Sequence, residues 1–117
     1  MLSAQEAFRR LAIGDPALLA AMTEPAGDLG QFRLAEQTEA LIRVAALVPI
    51  EAPQSSYQTA VGAAMRAGVT LEDLLATLVT VAGSVGSPRV VAAAPRIALA
   101  AGYDTEAEIE SLESAFS

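Results

Sequence analysis

Apolar residues recur along most of this chain at intervals of three and four positions, the spacing that places side chains on one face of an α-helix. The clearest stripe consists of Leu71, Leu74, Leu75, Leu78 and Ala82. The alternation of apolar and polar residues that is typical of strands is nearly absent. The pattern therefore predicts an all-α fold.

The pattern predicts six to seven helices, and capping residues mark the starts of four of them. Ser3 and Asp15 suit N-cap positions, because short polar side chains accept hydrogen bonds from the first free backbone N–H groups. Thr70 with Asp73 predicts a capping box, and Thr105 with Glu108 predicts another at the last helix. The predicted helices cover about residues 3–13, 16–23, 35–47, 53–67, 71–82, 88–101 and 105–115.

Glycine and proline mark the breaks between these helices. A loop is predicted over residues 24–33, a second break at the segment VPIEAP, and a turn from Gly83 to Pro88. Pro95 falls inside the sixth helix, where it predicts a kink. The third helix is apolar from Ala40 to Val48 except for Arg43, so we expect a partner subunit to cover part of it.

Composition and charge narrow the classes of function. A chain of 117 residues predicts a single domain, here residues 1–117. The net charge of −7 and the scattered arginines argue against nucleic-acid binding. No apolar run reaches the ~18 residues of a membrane helix, and the N-terminus lacks a signal-peptide core. We therefore expect a cytoplasmic protein that binds neither nucleic acid nor membrane.

The chain contains no cysteine and no histidine. Thiol peroxidase chemistry needs a thiolate and a second, resolving cysteine. Zinc sites of the Cys/His type and Ser–His or Cys–His triads are excluded for the same reason. We expect no metal and no cofactor, and whatever chemistry exists must use carboxylates, amides, hydroxyls or arginines.

Three stretches carry a resemblance to a known family. They are the helix Glu39–Leu47, the turn Ala67-Gly68-Val69-Thr70 before an acidic helix start, and the apolar helix that closes with Gly86-Ser87-Pro88. In this order the chain resembles the carboxymuconolactone decarboxylase family, which includes the alkylhydroperoxidase D-like proteins. The likeness covers roughly residues 5–104, and the opening resembles the lead-in of bacterial members. It implies a helical bundle that assembles as a homo-oligomer: a dimer, trimer or hexamer.

The redox members of that family have C-x-x-C-x-x-x-H before the A-G-V-T turn, and this chain departs from that motif. Counting back from Gly68 puts the cysteine positions at Pro53 and Ser56, whereas counting forward from Glu39 puts them at Glu51 and Gln54. Neither register supplies a thiol. The resemblance leaves Glu39 as the residue that matches a proton-relay glutamate of the family.

The candidate site residues each have a plainer interpretation. Glu39 is a candidate catalytic acid–base, or a solvated glutamate on a helix surface. Arg43 is a candidate clamp for a substrate carboxylate, or the i,i+4 partner of Glu39. The candidate substrate-binding residues at the start of the fourth helix are Gln54, Ser56, Tyr57 and Gln58, which can equally be capping and interface residues. Arg89 and Arg96, seven positions apart on one helix face, are interpreted as interface salt-bridge partners.

Two hypotheses of function follow. The first is an enzyme or binder without redox thiols that acts on a small carboxylated or cyclic metabolite by acid–base chemistry, as a decarboxylase-type lyase would. The alternative is a non-catalytic oligomeric protein that keeps the fold and has lost the active site. A pocket between the third and fourth helices with a buried Glu39 favours the first, and a site filled by Tyr57 and leucines favours the second.

Overall fold

The computed structural model describes residues 1–24, 27, 29–103, 110 and 112–115. All regular secondary structure in these residues is helical, which confirms the predicted all-α class. The helices with defined bounds are α1 (Ala4–Ala12), α2 (Pro16–Ala21), α3 (Glu36–Leu47), α4 (Gln54–Arg66), α5 (Leu71–Val85) and α6 (Ser87–Ala100). The predicted capping box of Thr105 and Glu108 lies outside the described residues.

The first of two compact units, Met1–Leu34, holds α1 and α2. The Ser3 hydroxyl caps α1 by accepting a hydrogen bond from the Glu6 N–H at 3.1 Å. Asp15 caps α2 and forms an ion pair with Arg10 at 2.8 Å. Both predicted caps are thus confirmed, whereas the single domain over 1–117 stays a prediction.

The second unit, Ala35–Ser117, contains α3 to α6. Its core draws on all four helices at helical spacing, because each helix turns one apolar stripe inward. The buried residues of this core are Ala40, Val44, Val48, Ala52, Tyr57, Val61, Ala64, Val69, Leu74, Leu78, Ala93 and Ile97. This core holds the loop between α3 and α4 as well as the helices, since Ala52 belongs to the loop.

Local interactions fix the end of α4 and the start of α5. Gly68 has a φ of 93°, and a Cβ there would lie 2.8 Å from the Nε2 of Gln37. The Thr70 hydroxyl accepts a hydrogen bond from the Asp73 N–H at 3.2 Å, and the Asp73 carboxylate accepts one from the Thr70 N–H at 2.9 Å. The predicted capping box is confirmed, and glycine is needed at the turn before it.

The predicted turn over residues 83–88 is wrong at its start. Helix α5 continues through Gly83 to Val85, and the chain turns at Gly86, where φ is 89°. A glycine inside a helix costs only about 1 kcal/mol relative to alanine, so packing of α5 against α6 can outweigh it. Pro95 lies inside α6 as predicted.

Apolar residues on α3 and α5 remain exposed. The predicted α5 stripe divides, because Leu74 and Leu78 are buried while Leu71 and Leu75 are 47% and 62% exposed. On α3, Ile42 is also exposed. Within the described residues, none of the helices combines the length and the apolarity that crossing a bilayer requires.

The Thr70→Ala substitution tests the capping box. We expect it to lower the free energy of unfolding by about 1 kcal/mol, because it leaves an N-terminal N–H group of α5 without its acceptor. Urea unfolding followed by circular dichroism measures the change. The matched control is Thr59→Ala, whose exposed hydroxyl only bonds back to the Ser55 carbonyl. Equal losses from both variants would contradict the assignment.

Candidate functional site

A cleft of about 260 Å³ opens in the second unit, where the loop between α3 and α4 meets α6 and the first turn of α4. Its volume lies just below the usual range for small-molecule sites, so it suits a small metabolite. The lining residues are Val48, Glu51, Ala52, Tyr57, Arg89, Ala92, Ala93 and Arg96. Four of these residues are apolar, and the polar side chains belong to the other four.

Tyr57 forms part of the cleft wall with a side chain that is otherwise in the core. The residue is 1% exposed, yet its hydroxyl has no hydrogen-bond partner among the residues that the structure describes. Among the described residues, every side-chain polar atom that is fully enclosed has a hydrogen-bond partner. The Tyr57 hydroxyl therefore reaches the open space of the cleft, where a ligand or water can bind it.

The charges around the cleft are two guanidinium groups and one carboxylate. Arg89 donates to the Val85 carbonyl at 3.3 Å, and Arg96 lies 3.5 Å from the Ala52 carbonyl, which is long for a hydrogen bond. Among the described residues, neither arginine forms an ion pair with a carboxylate, including that of Glu51. In a chain of net charge −7, the cleft thus carries a local excess of positive charge.

Contacts between distant parts of the chain hold this arrangement. The Gln54 side-chain amide donates to the Arg96 carbonyl at 2.8 Å and so fixes the start of α4 against α6. The Arg96 guanidinium reaches back to the loop carbonyl of Ala52. Arg89 and Arg96 lie on one face of α6 because seven positions are close to two helical turns.

The structure brings only one of the predicted site residues to this cleft. Tyr57 lines it, whereas Glu39, Arg43, Ser56 and Gln58 do not, and Gln54 serves as the tie to α6. Glu39 pairs with Arg43 at 3.5 Å, which is the plainer of the two interpretations of Arg43. That arginine is 64% exposed and Glu39 is 19% exposed at the side chain.

The structure meets neither of the two conditions that would separate the hypotheses of function. The cleft lies beside α4 and α6 and does not hold Glu39, and Tyr57 forms its wall without filling it. Sequence reasoning missed Arg89, Arg96 and Glu51 as lining residues. The spacing of the two arginines on one face was a usable signal, but which surface that face meets depends on tertiary packing.

Comparison of the chain with protein-family models, with curated proteins and with solved structures gives no match in any of the three.

The pH dependence of stability tests the environment of Tyr57. Burial raises the pKa of the Tyr57 phenol, and the Arg96 guanidinium opposes this in part. The stability from this group is present below the usual tyrosine pKa of about 10 and is lost as pH rises through the folded-state pKa. We expect the free energy of unfolding in urea to fall between about pH 9 and pH 11, and to fall less in Tyr57→Phe. The control is Tyr103→Phe, at an exposed position, which should keep the pH dependence of wild type. If the free energy of unfolding falls with pH as steeply in Tyr57→Phe as in wild type, the prediction is contradicted.

Proposed function

We propose that this protein binds a small carboxylated metabolite in the cleft between the α3–α4 loop and α6. The observation that carries the proposal is the meeting of Arg89 and Arg96, neither paired to a carboxylate within the described residues, with the unpartnered hydroxyl of the buried Tyr57. Guanidinium groups bind carboxylates through charge-assisted, often bidentate hydrogen bonds. A phenol hydroxyl can donate a third bond to the same ligand.

The apolar part of the cleft supports a ligand with a compact hydrocarbon body. Val48, Ala92 and Ala93 line it beside the polar groups. Small-molecule sites combine such apolar walls with a few convergent polar groups that fix the ligand's orientation. The positive charge of the cleft also draws anions toward it in a chain that elsewhere repels them.

The resemblance to the carboxymuconolactone decarboxylase family also supports a carboxylated ligand. That family's namesakes act on a small carboxylated lactone, which agrees with an anion cleft of this size. The catalytic form of the proposal is a cytoplasmic enzyme that works by acid–base chemistry with Glu39 as its proton carrier. Because Glu39 does not line the cleft, this form requires a proton route between the cleft and α3. Binding alone needs only the residues that line the cleft.

Substitution of the cleft arginines tests the binding proposal. We expect Arg96→Gln and Arg89→Gln each to weaken the binding of butyrate and cyclopentanecarboxylate by about 10- to 100-fold, since a hydrogen bond to a charged group is worth roughly 1.5–3 kcal/mol. Chemical-shift titration by NMR measures the affinity. The matched control is Arg43→Gln, which removes a guanidinium outside the cleft and should change affinity less than about twofold.

The opposite ranking would overturn this proposal. If Arg43→Gln and Glu39→Gln abolish binding while Arg96→Gln leaves it intact, then the ligand site lies on α3 and not at α6. A Glu39→Gln variant that binds normally but loses turnover of an identified substrate would support the catalytic form.

A second candidate is the alternative already stated, a non-catalytic homo-oligomer, and the exposed face of α5 favours it. Leu75 and Val79 are 62% and 69% exposed, one turn apart. Ala76, Thr80 and Gly83 are exposed beside them, and no charged residue occurs from Leu74 to Pro88. Exposed apolar surface without charge is typical of protein–protein contacts.

The occupant that we propose for this face is a second copy of the chain. Two chains of net charge −7 repel each other wherever acidic surfaces meet, so an uncharged face is where they can approach. Small residues along the face let two helices approach closely, and a two-fold contact uses the same face twice. Burial would leave no hydroxyl unsatisfied at Thr80, because it already donates to the Ala76 carbonyl at 2.7 Å.

A charge on this face should separate the subunits. We expect Val79→Glu to shift the protein to monomer in sedimentation velocity, because two buried carboxylates would face each other across the contact. The matched control is Val91→Glu on α6, at a valine that is 71% exposed against 69% for Val79. A monomeric wild-type protein, or equal effects of the two variants, would contradict the proposed contact.

A further inference from the structure

Glu51 holds an unusual position at the cleft. It is the only non-glycine residue with a positive φ, 51°, in the described part of the chain. The loop around it is tied down at both sides, since the Glu51 N–H donates to the Val48 carbonyl and the Ala52 N–H donates to the Leu47 carbonyl, both at 3.2 Å. Strain that surrounding structure enforces at a pocket is an observation from which a functional hypothesis can start.

Glu51 lines the same cleft as two arginines, and its carboxylate forms an ion pair with neither of them. An ionised carboxylate only accepts hydrogen bonds. In a cleft that otherwise attracts anions, it repels any second negative group on the ligand. It attracts instead a ligand group that donates a hydrogen bond.

We propose that Glu51 is a specificity-determining residue, and that the ligand of this cleft is a carboxylate that also carries a hydroxyl or an ammonium group. The arginines of α6 bind the carboxylate end, and Glu51 accepts a hydrogen bond from the donor at the other end. This inference rests on the proposed function, because it needs the carboxylate to be held by Arg89 and Arg96.

The arrangement discriminates by repulsion as well as by attraction. A dicarboxylate as long as the proposed ligand brings a second negative charge toward Glu51. A simple fatty acid has no donor at its far end, so the Glu51 carboxylate receives no hydrogen bond from it. Specific sites use both kinds of element, since specificity is a difference of affinities. The cleft therefore ranks ligands by the group at their far end.

A matched series of four-carbon ligands tests this ranking. We expect the wild-type protein to bind γ-hydroxybutyrate or γ-aminobutyrate at least about tenfold more tightly than butyrate and succinate, as measured by NMR titration. The Glu51→Gln variant should reduce this preference to less than about threefold and should bind succinate more tightly. The ratio of the two donor ligands then tells whether hydroxyl or ammonium is preferred.

Two further variants keep the outcome clear. Glu51→Gly removes the carboxylate at a φ that glycine adopts readily, so agreement with Glu51→Gln excludes an effect of backbone strain. Glu72→Gln, at an exposed position in the first turn of α5, is the control and should keep the wild-type ranking.

Equal binding of all four ligands to wild type, or an unchanged preference in both Glu51 variants, would overturn the role of Glu51 while leaving the arginine site intact. Binding that Arg96→Gln does not weaken would instead overturn the proposed function, and this inference with it.

Discussion

The side chain of Tyr57 has to meet two conflicting requirements. Its ring is the largest of the fully buried side chains and packs in the core of α3 to α6, where apolar contact stabilises the fold. Its hydroxyl cannot be sealed in that core without a partner, because burying an unbonded hydroxyl is costly. The packing leaves a cleft beside the hydroxyl, so the residue that completes the core is also the one whose hydroxyl we propose as a binding group.

Two arginines give this cleft a positive charge that differs in sign from the net charge of the chain. The chain has 14 acidic and seven basic residues, so its net charge of −7 repels anions. Arg89 and Arg96 reverse that sign locally, and Gln54 holds the backbone of Arg96 in place against α4. The loop residue Glu51 adds one negative charge to the same cleft. The proposed binding and selectivity both rest on these groups, and neither requires a thiol or a histidine.

The sequence predicts what local physics decides and misses what packing decides. Thr70 and Asp73 form their capping box because both partners lie within one turn, so spacing alone identifies them. The sequence predicts the end of α5 before Gly83, three residues too early, because packing against α6 can outweigh the cost of a glycine inside the helix. At the cleft, Tyr57 is predicted because the family resemblance puts a site at the start of the fourth helix. Arg96 was missed because its loop partner Ala52 is 44 positions away along the chain.

The binding of a carboxylate at α6 is the central claim, and the side-chain Nε–H signals of the arginines report on it directly. A titration with γ-hydroxybutyrate followed in ¹⁵N spectra should shift the signals of Arg89 and Arg96 saturably, with one dissociation constant for both. The signals of Arg43 and Arg66, which do not line the cleft, should stay in place. Shifts at Arg43 without shifts at Arg96 would contradict a ligand site at this cleft.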